Sequence, residues 1–369
     1  MRELPRRLTL VAQTASILRD DLQRGEWKDS LPSELALCDR LQVSRITVRA
    51  ALEILRREGW IDASKGRRRR ILRESGSVTP LPRSAVVGLV SSIPFHSFAA
   101  DGMYRVGELR RHLQSVDCRL EVFADTRIAS KDPSRLLDQI VRDTRARCWV
   151  LVVSTPQMQR WFEARQLPAV IMGPQHDGVQ LPFVDLHNRA MSRHAIGTCA
   201  SMGHRRIALF VPRRGEVGTL HLEEGFREGA RLLRRPDIEP QIVYHDDSPE
   251  GIGVVLRRLL RQRNRPGVLL VSRSKVVIGV LAHLAQMQLR VPKDVSLVAL
   301  SDQDYLSMIT PPLTRYRYNH KQLADALFHI VLERVRDPQA PIRSAQIMSR
   351  FFRGETLARL DAGGTSNLS

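Results

Sequence analysis

From Ala85 to Leu300 short apolar runs alternate with amphipathic helical stretches, and this alternation constrains the fold more than anything else in the chain. The runs are AVVGLV at 85, RLEVF at 119, CWVLVV at 148, AVIM at 169, RIALFV at 206, QIVY at 241, GVLLV at 267 and VSLVAL at 295. Helical periods fill the gaps, near Tyr104 to Ser115, Ser134 to Thr144, Trp161 to Arg165, Asn188 to Met202, Leu222 to Leu233, Ile252 to Arg263 and Val276 to Gln288. Continuous apolar strands separated by helices mean parallel sheets covered on both faces. One doubly wound domain seldom accounts for a stretch of about 270 residues, so two lobes are expected. Ligands of such sheets bind beyond the carboxyl ends of the strands, which between two lobes becomes a cleft.

The chain has 369 residues, enough for two or three domains with ample core. Its formal net charge of +19 suits a polyanion partner. More of that excess falls after Glu74 than before it. Cys38, Cys118, Cys148 and Cys199 are widely spaced and form no C-x-x-C pair, which indicates neither a zinc site nor a disulfide framework. No metal and no cofactor is expected. No apolar run approaches the roughly 20 residues that span a bilayer, and MRELPRRLTL at the N-terminus lacks the apolar centre of a signal peptide. A cytoplasmic protein with no membrane partner is expected.

Ahead of the alternating region, Leu31 to Trp60 reads as two short helices and a turn. Ser44 is a good N-cap, and Val48, Ala51, Leu52 and Leu55 fall at the i, i+3, i+4, i+7 spacing of one buried helix face. The opposite face carries Arg45, Ile46, Thr47 and Arg49, with the two arginines four apart and projecting together. A shorter helix from Ser33 to Leu41 and the turn at Gln42-Val43 complete a helix-turn-helix, whose second helix puts its N-terminal residues against base edges. An ordinary helical hairpin with a solvated basic face has the same periodicity. The flank then decides: two β-prone runs, Trp60 to Ala63 and Ile71-Leu72, bracket Ser64-Lys65-Gly66 and the arginines 67 to 70. That is a hairpin whose tip suits phosphates or a narrow minor groove. Residues 8 to 24 form a preceding helix with an apolar stripe at Leu8, Val11, Ala15, Leu18 and Leu22, and it packs behind the recognition helix.

The order LPSE, short helix, VSRITVRAALEIL, REGWI, KGRRRR resembles the winged helix-turn-helix of the GntR family of bacterial transcription regulators, over about residues 8 to 73. The resemblance implies DNA contacts from Ser44, Arg45, Thr47, Arg49 and Gly66, with Lys65 beside the wing glycine. The neighbouring Arg67 and Arg68 are added as candidate contacts of the basic wing. Many members carry Arg directly after the LPSE glutamate; here that position is Leu35, so one contact is missing and the basic wing compensates. Residues 74 to 84, ESGSVTPLPRS, read as a linker without helical period.

Farther on, FVDLHNRA at 183, ASMGHRRIALFV at 200, LRVPKDVSLVALSDQD at 289 and TPPLTRYRYNHKQLADALFHIVLERV at 310 together resemble the effector-binding domain of the LacI/GalR family, over roughly Ala85 to Thr356. Such a domain has the two-lobed periplasmic-binding-protein fold. A GntR-type head on a LacI-type domain is a known hybrid layout, as in arabinose-responsive repressors. The resemblance implies a homodimer, a pseudo-palindromic double-stranded operator, and DNA binding governed by a small molecule in the cleft, often a sugar. The expected architecture is therefore α/β: a winged helix-turn-helix domain at 1–74, a linker at 75–84, a two-lobed effector and dimerisation domain with parallel sheets at 85–356, and a frayed tail at 357–369. Pro311-Pro312 is placed at a lobe crossing.

The pocket positions depart from the sugar-binding pattern. The family's pocket arginine falls on Leu222, three residues before Gly225-Phe226, and its ligand-binding aspartate falls on Ser301, beside Asp302. The usual Asn-Asp falls on Arg273-Ser274. Arg273 could face an anionic ligand such as a sugar phosphate or acid, and Phe95, His96 and Phe98 could stack on a ring. Each has a bland alternative: core for the phenylalanines, surface for His96, a solvated loop charge for Arg273. Two other functions compete. An enzyme with a DNA-binding head would need a Schiff-base lysine or a metal motif. Only Lys275 tempts, HLEE at 221 lacks a second histidine, Asp246-Asp247 reads as a turn, and no G-x-S-x-G, H-E-x-x-H or P-loop occurs. No catalytic residues are assigned. In the third reading, the effector domain only dimerises or docks a protein and senses no small ligand.

Overall fold

The stripe Val48, Ala51, Leu52 and Leu55 is buried to within 1% of complete exclusion from solvent, and it fixes how the N-terminal residues assemble. In this computed structural model, which describes residues 10–23, 26–27, 30–41, 43–57, 60–62, 69, 71, 84–213 and 217–360, the stripe lies on α3 (Arg45–Arg57), packed with α1 (Leu10–Gln23) and α2 (Glu34–Leu41). Ser33 Oγ accepts the N–H of Ala36 at 3.2 Å and Ser44 Oγ that of Thr47 at 3.2 Å, so both short helices start on a side-chain cap. Ala15, Leu18 and Leu22 of α1 close the core from behind. Ile61 and Ile71 pair in an antiparallel bridge, and the N–H of Leu31 donates to Arg69 O at 3.0 Å, which ties the base of the wing to the segment before α2. Lys65, Gly66, Arg67, Arg68 and Arg70 lie outside the described residues, as do Gln42 and Gly59.

The chain divides into two compact units, Met1–Pro80 and Leu81–Ser369. The second contains two six-stranded sheets. One lobe uses β1 (Ala85–Ser91), β2 (Cys118–Ala124), β3 (Cys148–Val152), β4 (Ala169–Met172), β5 (Phe183–Leu186) and β11 (Ala345–Ile347). They run in the order β11-β5-β4-β3-β1-β2, every pair parallel. The other lobe uses β6 (Arg206–Pro212), β7 (Glu239–His245), β8 (Val268–Val271), β9 (Ser296–Ala299), β10 (Thr314–Arg317) and β12 (Arg350–Phe352). Their order is β12-β10-β9-β8-β6-β7, parallel except for β12 at the edge.

Both faces of each sheet are covered, which is why the strands read as unbroken apolar runs. On the first lobe, α4 (Ala100–Gln114) and α11 (His320–Arg336) cover one face, and α5 (Ser134–Thr144) and α6 (Pro156–Ala164) the other. On the second, α7 (Asn188–Ser201) and α8 (Val217–Leu233) lie opposite α9 (Pro249–Leu260) and α10 (Ser274–Gln286). Helices α7 and α8 approach so closely that a Cβ on Gly225 would collide with the carbonyl oxygen of Arg189.

The chain passes between the lobes three times: from β5 to α7, from β10 to α11, and from β11 to β12. All three crossings leave from carboxyl ends of strands, β5 and β11 in the first lobe and β10 in the second, so the carboxyl edges of the two sheets oppose each other. The expectation that Pro311-Pro312 marks a crossing is corrected: both prolines precede β10, and the chain crosses after it, at Tyr318-Asn319. The expected frayed tail is also displaced. Leu357 is buried in the second lobe, the N–H of Ala358 donates to Ser296 Oγ at 3.0 Å and that of Leu360 to Met202 O at 2.8 Å. Residues 361–369 lie outside the described residues. No helix among the described residues is long and apolar enough to cross a membrane.

Replacing Leu52 with Ala should destabilise the N-terminal unit by roughly 2–5 kcal/mol, read as an earlier unfolding transition in urea followed by circular dichroism. Gly225→Ala should destabilise the second unit by about 1–3 kcal/mol, because the α7–α8 contact cannot widen without loosening the packing around Phe226; calorimetry of the full chain would report it.

Candidate DNA interface and effector cleft

Helix α3 turns its unburied face outward. Ser44, Arg45, Ile46 and Arg49 are exposed, Ile46 to 81%, and Thr47 is half-buried. Thr47 also shares a hydrogen bond with Ser44, 2.9 Å between hydroxyl oxygens. Leu35, at the position where related heads carry arginine, is 64% exposed on α2. The candidate contacts Ser44, Arg45, Thr47 and Arg49 are thus brought together on one face. The wing candidates Lys65, Gly66, Arg67 and Arg68 fall outside the described residues.

Glu34, which the sequence reading passed over, organises this face. Its Oε2 accepts from Arg45 Nε at 3.0 Å and Arg49 Nε at 2.8 Å, and its Oε1 accepts from Arg69 Nη2 at 3.1 Å. Burial alone would raise its pKa, but the hydrogen bonds from Arg49, Arg45 and Arg69 outweigh burial and hold the carboxyl at about 2. Glu34 is therefore an anion throughout the physiological range. It aims two arginines of the recognition helix and one of the wing from a single first-turn position on α2, and leaves their remaining guanidinium N–H groups available to an incoming partner. The only sequence signal is the serine-glutamate start of α2; the convergence itself needs the tertiary fold.

In the second unit the positions singled out for a ligand separate into different environments. Phe95 and Phe98, either end of a 3₁₀ turn, pack against the first lobe's core with ring centroids 5.2 Å apart, while His96 between them is exposed. Leu222, at the arginine position, is 6% exposed within the second lobe's core and cannot reach a ligand. Ser301 accepts a hydrogen bond from Ser274 Oγ at 2.9 Å. Asp302 is buried and held internally, 3.2 Å from Arg315 Nε and 3.7 Å from Arg317 Nε. Arg273, the residue before α10, donates to Asp247 Oδ2 at 3.0 Å, and Lys275 Nζ sits 2.6 Å from the same oxygen. Lys275 is thus an ion-paired helix-terminus lysine. Asp246 Oδ1 accepts from the backbone and hydroxyl of Ser248, the N-cap of α9, as a turn residue should.

The crossing at Tyr318 joins the lobes. Its Oη lies 3.3 Å from Asp101 Oδ2 in α4 and 3.4 Å from Asp302 O beyond β9, so one hydroxyl serves both lobes. Asp101 also holds Arg105 at 2.9 Å. A cavity of about 740 Å³ opens beside this crossing, lined by Asp101, Tyr104, Gln303, Arg317, Tyr318 and Arg350 among others. None of the six expected ligand residues lines it. Cys118, Cys148 and Cys199 are buried free thiols, the last two pushed up to about 12 by burial, and are unreactive packing residues.

Residues 10–71 match the family model for bacterial regulatory proteins of the gntR family, and residues 196–357 match that of the periplasmic binding protein-like domain. The HTH-type transcriptional regulator reg1 of Streptomyces lividans is 29% identical over 194 residues, covering 51% of this chain and 56% of that protein. A probable opine utilization operon repressor of Rhizobium rhizogenes is 30% identical over 159 residues, covering 40% of this chain and 79% of that one. The chain thus spans little more than half the length of several curated relatives it matches. Among solved structures, a LacI family transcriptional regulator from Enterococcus faecium with bound ribose superposes with a TM-score of 0.62 at 16% identity, over 75% of this chain and all of that one. These relatives are transcriptional regulators and not enzymes. The chain belongs to the HTH-type bacterial transcriptional regulators that join a GntR-family DNA-binding head to a LacI-type, periplasmic-binding-protein-like domain.

Proposed function

We propose that this regulator is a cytoplasmic homodimeric repressor that binds a pseudo-palindromic operator and is gated by a small molecule, a sugar or sugar derivative, held between the lobes of its second unit. The proposed boundaries are 1–74 for the head, 75–84 for the linker and 85–356 for the effector and dimerisation domain. The observation that carries the reading is the outward face of α3: Arg45 and Arg49 stand more than half exposed, aimed by Glu34, on a helix anchored by a fully buried stripe. One such head buries limited surface, and specific affinity comes from two half-sites, which calls for a dimer. The opposed carboxyl edges of two parallel sheets supply the cleft, and the Enterococcus faecium structure of the same fold holds ribose.

A second reading keeps the DNA-binding head but gives the effector domain no small ligand, leaving it to dimerise or to dock a protein. What favours it is the fate of the expected pocket groups: Leu222 is core and Asp302 is spoken for by Arg315 and Arg317.

Operators selected from random duplex DNA would test the first part. Arg49→Ala should cost on the order of 1–3 kcal/mol at the selected site and relax the preference at one base position, whereas Arg67 and Arg68 changed together to Ala should weaken binding to all sequences alike and flatten the salt dependence. Both variants binding like the parent would refute the assignment of the interface. Glu34→Gln should narrow the gap between specific and non-specific binding, because Arg45 and Arg49 lose the carboxylate that aims them; competition anisotropy with calf-thymus DNA measures that gap. For gating, a panel of sugars and sugar derivatives added to the protein–operator complex should contain a member that changes operator affinity by about 5- to 150-fold. A panel with no effect would favour the ligand-independent reading.

A further inference from the structure

The second lobe carries unsatisfied polar atoms at the carboxyl edge of its sheet, on residues not among the expected ligand contacts. His245, the last residue of β7, is 1% exposed, and its ring stacks on Phe210 of β6 with centroids 4.7 Å apart at 21°. Its Nδ1 accepts the N–H of Asp247 at 3.0 Å. That bond places the ring proton on Nε2, and burial pushes the imidazole pKa down to about 4, so the ring is neutral at pH 7. Nε2 is nevertheless buried with no acceptor. Ser272, the residue after β8, is 9% exposed and its Oγ is likewise unpartnered. Asp247 gives Oδ2 to Arg273 and Lys275 and leaves Oδ1 buried and unpartnered. Asp247 donates its N–H to His245 and accepts from Arg273, the residue after Ser272, so the three residues gather at the ends of β7 and β8. Buried polar atoms without partners are few in native proteins and each is costly. Three of them gather at the edge where sheets of this type receive ligands.

We propose that His245, Asp247 and Ser272 form the polar anchor of the effector site, and that the anchored part of the effector is uncharged, offering an acceptor to His245 Nε2–H and a donor to Asp247 Oδ1 from neighbouring atoms. This deepens the gated-regulator reading and rests on it. At the anchoring atoms themselves an anionic group would meet the free carboxylate oxygen of Asp247 beside a neutral imidazole. A cationic group would meet Arg273 and Lys275. The chemistry that remains is a paired donor and acceptor, as on the adjacent hydroxyls of a neutral sugar or the amide edge of a nucleobase. The anchor has thus moved from the positions now occupied by Leu222 and Ser301 to the ends of β7 and β8.

Melting of the full-length protein, with and without ligand, tests this. The probes are ribose, glucose and cellobiose, the base hypoxanthine, and the anions ribose 5-phosphate and gluconate. One of the uncharged probes should raise the melting temperature by roughly 4–8 °C at about 100 times its Kd, sugars and base being told apart by which arm responds. Asp247→Asn should weaken that probe roughly 10- to 100-fold. Ser272→Ala should weaken it too, yet raise the melting temperature of the unliganded protein by about 1–3 °C, because it removes a buried hydroxyl that has no partner. A lower unliganded melting temperature for Ser272→Ala would show that the hydroxyl is structural and overturn the anchor, with gating untouched. Stabilisation by the anions alone would overturn the uncharged class while keeping a gated regulator. No response to any probe would overturn the anchor as assigned. A probe that binds in the expected way but leaves operator affinity unchanged would uphold the anchor and refute the gating.

Discussion

A parallel strand cannot be joined to its neighbour by a tight turn, and the rest of the second unit depends on that constraint. Each strand must return through a helix, the helices must bury both faces, and every strand then delivers its carboxyl end to the same edge. With two such sheets and three passages of the chain between them, the two edges are held opposite one another by covalent connection. The cleft follows from connectivity before any side chain is considered. What the side chains decide is whether the opposed edges carry spare hydrogen-bonding capacity. On the second lobe they do, at His245, Asp247 and Ser272.

The head is governed by a different balance. A 13-residue helix with one sealed face can present four or five residues to a groove, but flexible arginines on that face would lose much of their affinity to side-chain ordering. Glu34 reduces that loss by gathering Arg45 and Arg49 before any partner arrives. The arrangement uses few parts: a capped start to α2, one carboxylate, and a wing that brings Arg69 to its other oxygen.

The layers of the fold were legible because burial writes itself into composition. The runs at 148, 169, 206, 267 and 295 became strands within a residue or two, and the helical period from Ser134 to Thr144 matches α5 as it stands. The elements that escaped notice carry no such imprint. β11 and β12 are three-residue edge strands with little burial, and β10 follows two prolines that suggested a break. The outward face of α3 was legible from the helix period, and the basic flank was needed to read it as a recognition face. The proposed anchor was not legible, because a pocket is assembled from strand ends far apart in sequence. Residues 245, 247 and 272 share no spacing that a periodic reading detects, and what distinguishes them is a hydrogen bond they fail to make. Phe95 and Phe98 pack against the first lobe's core, the alternative the sequence left open, since a ring near a strand end looks the same in sequence whether it faces a ligand or the core.

The Glu34 contacts also bear on how the protein would respond to ionic strength. Salt dependence of DNA binding counts the phosphates whose condensed counterions are released, and not the number of basic residues nearby. Glu34, a carboxylate held ionised down to about pH 2, cancels one of the three guanidinium charges it gathers, so the cluster releases fewer such ions than its arginines alone would suggest. The recognition helix would then add less to the salt dependence than its arginines suggest, while the basic run after it sets how tightly any duplex is held. Selectivity and grip would be tuned by separate parts of one small head.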